Sequence, residues 1–476
     1  MTGTRYIFVG LALLLLAGCA QNPVTGKADF VMMSESDEIA LGRQYDEQVI
    51  KKQYKAYESK ALQAYVDRIG QKLASQSHRP HLQYHFSVLD TPEVNAFALP
   101  GGYVYITRGI MAYLNSEAEL AAVVGHEIGH VTARHSVRQQ SAAQAASIGL
   151  NIASIFVPEI KSSFGQKLSN ILGGALLSGY GREHELEADR LAAQYLARAD
   201  YDPQAIIKVL RTLKNQDLMD AELAAQEGRE PRRYSGLFAT HPDNDTRLHE
   251  VVGEADKLKS ATPFEGRDTF LAATDGLVFN ENTDQGVLRN NRFYHPDLGF
   301  AMQFPEAWQV HNLPEALIAI SPRGEARMQM QTDQKPEGSP LEYTRRLVGS
   351  GTQAKPFRVN GLPGALTNLP DGIVAVVYLD RHAFIFQGVG KTRQQLDTHR
   401  GAIINTVRSF QALTAEERNR VKPLRIRIGT ARQGESYARL AKDSPLGNSA
   451  ESYLRLINAQ YPGGEPQAGQ RIKIVE

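Results

Sequence analysis

The sequence predicts an α+β chain: a mainly helical first domain with a small sheet, then an antiparallel α+β domain, then a small βααβ unit. Apolar residues recur at helical spacing from Ser34 to about Lys259, broken once by strand-like segments. Beyond about residue 291 the pattern changes to short alternating or apolar stretches, such as 299–304, 316–320, 373–378 and 383–386, which read as strands. A length of 476 residues holds two or three domains. The predicted boundaries are 1–18 for a leader, 19–30 for a tether, 31–260 for the first domain, 261–290 for a weakly patterned linker, 291–412 for the second domain and 423–476 for the last unit.

At the N-terminus, Arg5 precedes the apolar run Ile7–Leu16 and then Ala17-Gly18-Cys19. This is the layout of a secretory signal, and the run is short of the roughly 20 residues a membrane crossing needs. Leu16-Ala17-Gly18-Cys19 resembles the bacterial lipobox, which implies cleavage before Cys19 and a lipid on its thiol. Cys19 is the single cysteine, so an internal disulfide is excluded. With Ala20 following the cysteine, the resemblance implies an anchor in the outer membrane of a Gram-negative cell and a chain facing the periplasm. Acyl chains contribute about 0.8 kcal/mol per buried CH₂ to such anchoring. Charge is balanced, 53 Lys+Arg against 52 Asp+Glu, so no global field draws the chain to nucleic acid, which is excluded as a partner.

After the polar, Pro- and Gly-containing tether, amphipathic helices are predicted across Ser36–Ile50 and Ala61–Leu73. Tyr84–Leu89 and Tyr103–Thr107 read as strands, the second following the turn Pro100-Gly101-Gly102. Ser116 with Glu119 three residues on reads as a capping box that opens a helix through Val131. Residues 141–180, rich in Ala, Ser, Gly and Ile, read as a small-residue helical lid. Another helix begins near Arg182 and runs through Leu196. Residues 228–245 read as loop, and a helix then closes the domain.

The helix from Ser116 carries the chemistry. His126-Glu127-x-x-His130 puts two imidazoles four residues apart, on one helix face, with a carboxylate beside them. The apolar run Leu120–Val124 and the small Gly125 and Gly129 mark this helix as buried and closely approached. Unpaired buried imidazoles would be costly there, so the pair is read as a metal site. A catalytic zinc takes three protein ligands and keeps a fourth position for water. Ala133 and Ser136 stand where a metzincin needs Gly and His, so the third ligand has to come from a later helix. Arg182–Arg190 offers the one dense group of candidates, with Glu183 and Glu187 on one face and Glu185 and Asp189 on another; periodicity does not choose between them. His135, five residues after His130, falls off the ligand face of a continuing helix.

These motifs resemble those of the gluzincin family that contains BepA, HtpX and the CAAX prenyl endopeptidases, whose second motif E-x-x-A-D is matched by Glu185-Leu186-Glu187-Ala188-Asp189. The resemblance implies a zincin-type metalloprotease fold over about residues 30–255. It also implies one Zn²⁺ per chain on His126, His130 and Glu185, with Asp189 orienting a ligand histidine and Glu183 and Glu187 left on a solvated face. Asn95-Ala96-Phe97-Ala98 and Gly101-Gly102-Tyr103-Val104 are similar to the family's N-A-F-A…G-G segment. Asn95, Ala96, Gly101, Gly102, Tyr103 and Val104 are therefore expected along an edge strand that pairs with an extended peptide. Thr240-His241-Pro242-x4-Arg247 matches T-H-P-x4-R, which implies that His241 lies near the metal, steadying the oxyanion or capping the zinc at rest. Glu127 is the expected general base, and His241 or Arg247 the donor to the oxyanion, a contact worth about 3 kcal/mol when well placed.

The segment from Gly429 through Ala441, with Leu454–Asn458 and Pro466–Ile474, resembles a LysM-type repeat, which implies peptidoglycan as a partner; a plain βααβ packing module accounts for the same pattern. The resulting expectation is an endopeptidase that degrades misfolded or stalled envelope proteins. A zinc-capped, largely inactive chaperone or scaffold for outer-membrane assembly is the competing reading, and chelator-sensitive cleavage separates the two.

Overall fold

The structure, a computed structural model, describes residues 19–142, 181–227, 244–258, 263–279, 286–289, 291–313, 316–334, 336–349 and 351–476. The leader 1–18, the expected lid over 143–180 and the loop 228–243 with His241 lie outside the described residues. The chain forms two units, Met1–Phe279 with Leu424–Glu476, and Asn280–Pro423. The segment read as a separate C-terminal unit thus belongs to the first body.

In the first unit, β1 (Cys19–Gln21) and β2 (Ala28–Phe30) form an antiparallel hairpin with Cys19 opposite Phe30. This corrects the reading of 19–30 as a tether: Asn22 Oδ1 accepts from the Val24 and Thr25 amides, and Gly26 adopts φ 69°, which closes the turn. Helix α1 (Glu35–Tyr45) starts at Ser34, whose side chain accepts from Asp37 N, and α2 (Lys60–Ser75) starts at Ser59 in the same way. Leu62, Val66, Ile69 and Leu73 line the buried face of α2 at helical spacing. Strands β3 (His85–Leu89), β4 (Ala96–Leu99) and β5 (Tyr103–Thr107) form one sheet in the order β3-β5-β4, with β3 parallel and β4 antiparallel to β5.

Then follow α3 (Arg108–Tyr113), α4 (Glu117–Thr132), α5 (Arg182–Arg198), α6 (Ala205–Glu227), α7 (Asn244–Lys257), α8 (Arg267–Thr274) and the short β6 (Val278–Phe279). Every residue of α4 is buried, which is why its sequence is apolar on all sides except where it carries the histidines and glutamates. Ser116 caps α4 by accepting from Glu119 N, while the Glu119 carboxylate accepts from Asn115 N, one residue earlier than a capping box requires. Within the stretch read as a linker, residues 263–279 belong to the first unit. Phe270 and Leu271 are buried in the core, and the carbonyls of Glu265 and Gly266 accept from the Ala118 and Glu117 amides at the open end of α4.

The second unit has the antiparallel α+β architecture expected of it. Its short strands β7 (Val287–Arg289), β8 (Arg292–His295), β9 (Phe300–Gln303) and β17 (Gln411–Ala412) form one sheet. The other sheet has the order β10-β11-β12-β16-β15-β14-β13, from β10 (Gln309–Leu313), β11 (Ala316–Ile320), β12 (Ala326–Gln334), β13 (Lys355–Val359), β14 (Leu362–Leu369), β15 (Gly372–Leu379) and β16 (His382–Gly390). Helices α9 (Pro340–Val348) and α10 (Arg393–Arg408) complete it, and Phe300, Phe384, Phe386 and Phe410 meet at its centre.

The chain then returns to the first unit through β18 (Leu424–Thr430), α11 (Tyr437–Leu440), α12 (Ala450–Ile457) and β19 (Arg471–Val475), the βααβ order read from the sequence. β18 pairs with β19 on one side and with β6 on the other, and Tyr437, Leu454 and Ile457 share the core of α2 and α4. Among the described residues no helix is long and apolar enough to cross a membrane.

Candidate metal centre

Two helices make the site, and glycines set their distance. A Cβ on Gly129 would lie 3.1 Å from both Cα and O of Ala188, so α5 can pack this close to α4 only where α4 has no side chain. That approach turns the Glu185 and Asp189 face of α5 toward the histidines, a choice the periodicity of α5 leaves open. His126 Nε2 and His130 Nε2 are 3.0 Å apart, and Glu185 brings Oε2 to 3.4 Å from the first and Oε1 to 3.5 Å from the second. All three side chains are buried, as is Glu127, which is 0% exposed on the turn between the two histidines.

Asp189 Oδ1 accepts from His126 Nδ1 at 2.8 Å, which leaves His126 Nε2 as the atom facing the site. Arg247 on α7 holds Asp189 from behind with two bonds, Nε to Oδ2 at 2.7 Å and Nη2 to Oδ1 at 2.8 Å, and places Nη1 3.2 Å from Glu185 Oε2. Its guanidinium is thus engaged by two carboxylates, Asp189 and Glu185, where the sequence reading expected a donor to the oxyanion. Burial pushes the Asp189 carboxyl up, but the charge and hydrogen bonds of Arg247 and the bond to His126 outweigh that and hold it at about 2. Burial likewise disfavours a charged His126, yet Asp189 and Glu185 together raise it to about 9. The site draws a positive charge.

A divalent ion fits that demand. Bonds of about 2.0–2.1 Å in a tetrahedral arrangement separate neighbouring ligand atoms by roughly 3.3 Å, and the three donors already stand 3.0 to 3.5 Å apart. His126, His130 and Glu185 also form the one group among the described residues with metal-ligand types gathered this closely.

Residues 60–255 match the family model of peptidase family M48. These residues are thus similar to the peptidase domain of that family. The chain is 29% identical over 257 residues to the beta-barrel assembly-enhancing protease of Yersinia pestis, covering 52% of this chain and 50% of that protein. It is 30% identical over 232 residues to the protein of the same name from Escherichia coli K12, covering 47% and 45%. Over 188 residues it is 30% identical to the mitochondrial metalloendopeptidase OMA1 of Schizosaccharomyces pombe, covering 39% and 51%. The chain spans about half the length of these curated relatives.

Within the matched segment the residues expected to hold substrate separate by strand. Ala96 begins β4, which among the described residues pairs with β5 alone, so its other side is the edge of the described sheet, next to α4. Tyr103 and Val104 are on the central strand and pair on both sides, with Leu99 and His85, and with Ala98 and Phe86, so they have no edge to offer a peptide. Gly101 and Gly102 have φ 77° and 102°, and a Cβ on Gly101 would lie 2.7 Å from Ile39 Cα; the turn and its contact with α1 require them. Asn95 O accepts from the Thr107 amide, extending the β4–β5 ladder.

Two residues of the site were given no part in it by the sequence reading. His135 Nδ1 lies 2.8 Å from His130 Nδ1, and its Nε2 is 3.0 Å from Glu187 Oε2. Glu187, expected on a solvated face, is partly buried and also pairs with Arg138 at 3.0 Å, and His135 and Arg138 hold its carboxyl at about 2 against the effect of burial. Glu183, by contrast, is exposed.

Proposed function

We propose that the chain is a zinc-dependent endopeptidase of the bacterial cell envelope that hydrolyses misfolded or stalled envelope proteins. The observation that carries this is the convergence of His126, His130 and Glu185 around a point beside the buried Glu127 carboxylate. Zinc is the ion that two imidazoles and one carboxylate favour, and bound there it would polarise a peptide carbonyl and acidify water. Glu127 takes the proton of the attacking water and delivers it to the leaving amine. An extended substrate segment lies along the edge of β4 that no described strand pairs, and His241, in the stretch that resembles the family's T-H-P-x4-R motif, meets the oxyanion. The envelope assignment draws on the beta-barrel assembly-enhancing relatives and on the signal-like N-terminus, with Cys19 lipidated and the chain anchored to the outer membrane in the periplasm. Residues 424–476 act as a packing module of the peptidase unit, since Tyr437, Leu454 and Ile457 are buried in its core, rather than as a peptidoglycan-binding module.

The test is metal analysis of the wild type and Glu185→Ala together with hydrolysis of an unfolded polypeptide with and without chelator. One zinc per wild-type chain, its loss in Glu185→Ala and chelator-sensitive cleavage are expected. Glu127→Gln is expected to retain zinc and lose cleavage by about 10²–10⁴-fold; an active Glu127→Gln protein refutes the assignment of the base.

A further inference from the structure

Helix α4 ends at Thr132, and Arg134 takes a left-handed backbone, φ 56°. That conformation is costly for a residue with a side chain. It is held by the guanidinium, which donates from Nε to Glu38 at 2.8 Å and from Nη2 to Met33 O at 2.9 Å. Its consequence is local: had the helix continued, His135 would face away from His130, and instead the chain reverses and sets His135, 0% exposed, behind the His130 ring.

The proton positions follow from the acceptors. Glu187 is a carboxylate and only accepts, so the 3.0 Å contact from His135 Nε2 places the His135 proton on Nε2. His135 Nδ1 is then a bare acceptor, and at 2.8 Å from His130 Nδ1 it requires the His130 proton to sit on Nδ1. The remaining lone pair of His130, on Nε2, points at His126 Nε2 and Glu185. Arg138 fixes Glu187 at 3.0 Å and itself reaches Asp29 of the N-terminal hairpin at 3.1 Å, while His184 stacks on His135 with ring centres 4.3 Å apart.

We propose that His135, backed by Glu187, is a positioning residue: it fixes the tautomer and rotation of His130 so that Nε2 is presented to a divalent cation, as Asp189 does for His126. The inference rests on the metal reading proposed above. A neutral imidazole in place of a carboxylate leaves His130 less electron-rich than His126, so the two ligand histidines are tuned differently.

The test is zinc affinity of the full chain, measured by competition with a chromogenic chelator, for wild type, Glu185→Ala, His135→Ala and His135→Asn, with ¹⁵N NMR of labelled histidines to read the His130 tautomer. His135→Ala is expected to weaken zinc binding by about 10–100-fold. His135→Asn, whose amide oxygen can accept from His130 Nδ1, is expected to recover most of it, and wild-type His130 to carry its proton on Nδ1. Wild-type affinity in His135→Ala, an Asn variant as weak as the Ala variant, or a His130 proton on Nε2 overturns the inference while the metal reading stands. A wild type without one zinc per chain, or a Glu185→Ala variant that binds as tightly as wild type, overturns the metal reading and this inference with it.

Discussion

Gly129→Ala separates the role of helix packing from that of the ligands themselves. The added methyl would sit 3.1 Å from Ala188 Cα and O and 3.4 Å from Leu191 Cβ, and the first two are backbone atoms that cannot rotate aside. Carbon atoms pack best at about 3.5–4.0 Å, so α5 has to retreat by roughly 0.5 Å. The substitution gains about 1 kcal/mol of helix propensity and loses about 1–3 kcal/mol to overpacking, so stability changes little or falls by up to about 2 kcal/mol. The larger effect is on the site. Glu185 is one turn before Ala188 on the same helix, and its retreat widens the 3.4 and 3.5 Å separations to the histidines beyond what one ion can bridge. Metal sites tolerate about 0.5 Å of misplacement, so zinc affinity is expected to fall about tenfold or more. Gly125→Ala is the control on the same helix: its methyl would meet Ala192 at 3.5–3.7 Å, ordinary contact, so it should keep zinc and gain about 1 kcal/mol. Zinc competition and urea unfolding on both variants decide the matter, and equal zinc affinity in the two refutes the packing argument.

Arg247→Met leaves the Asp189 and Glu185 carboxylates buried without their cation and is expected to cost about 3–5 kcal/mol in urea unfolding, with Arg247→Lys failing to restore it because a single ammonium cannot reproduce the two-pronged contact. Asp189 has its carboxyl lowered from 3.8 to about 2 in the folded chain, so the stability it contributes is complete above about pH 4 and is lost as pH falls toward 2. Acid unfolding, followed by circular dichroism, should therefore begin at higher pH in Arg247→Met. Lys473→Met removes the donor to the carbonyls of Ala112, Leu114 and Ile457, and at about 1 kcal/mol for each acceptor left unmet the loss in urea unfolding should approach about 3 kcal/mol.

The histidine pair was legible because four residues of helix is a spacing that chemistry and geometry share. The third ligand was not legible from periodicity, since two faces of α5 each offered a pair of carboxylates; the match to E-x-x-A-D chose one. The structure supplies the reason for the motif's alanine, because Ala188 is the residue Gly129 lets in. His135 is not in the ligand group, as expected, but its contact with His130 is not legible from spacing. Spacing alone sets its angle as on a continuing helix, and the turn that ends α4 uses an arginine with positive φ where glycine or asparagine would have announced a helix end. Glu187 went with it, because a carboxylate reads as solvated until its partner is known. The sheet order β3-β5-β4 was hidden in the same way: strand pairing depends on residues distant in sequence, and alternation marks a strand without naming its neighbour.

Why 263–279 and 424–476 escape a sequence reading as parts of the peptidase follows from what the N-terminal end of α4 needs. A helix start leaves amide donors unmet, and a buried one must find acceptors in the protein. Ser116 meets one, and the carbonyls of Glu265 and Gly266 meet two more. Lys473, from the last strand, ties down the turn between α3 and α4 through the carbonyls of Ala112 and Leu114. None of these contacts leaves a periodic signature, since each is a single residue on a short segment. The second unit interrupts this body: the chain leaves it at Phe279 and re-enters at Leu424, and those two residues are paired partners in β6 and β18. Paired Cα atoms in antiparallel strands lie about 4.5–5.5 Å apart, close enough for a two-residue turn to join them. Asn280–Pro423 is therefore an insertion at a point where the chain ends meet, the arrangement that insertion and excision tolerate best. Replacing it with Asn-Gly should leave a folded peptidase unit that binds one zinc with wild-type affinity, whereas truncation after Phe279, which also removes β18, β19 and Lys473, should not yield a folded one. A shortened chain that fails to fold would place the stability of the metal centre in the inserted unit instead.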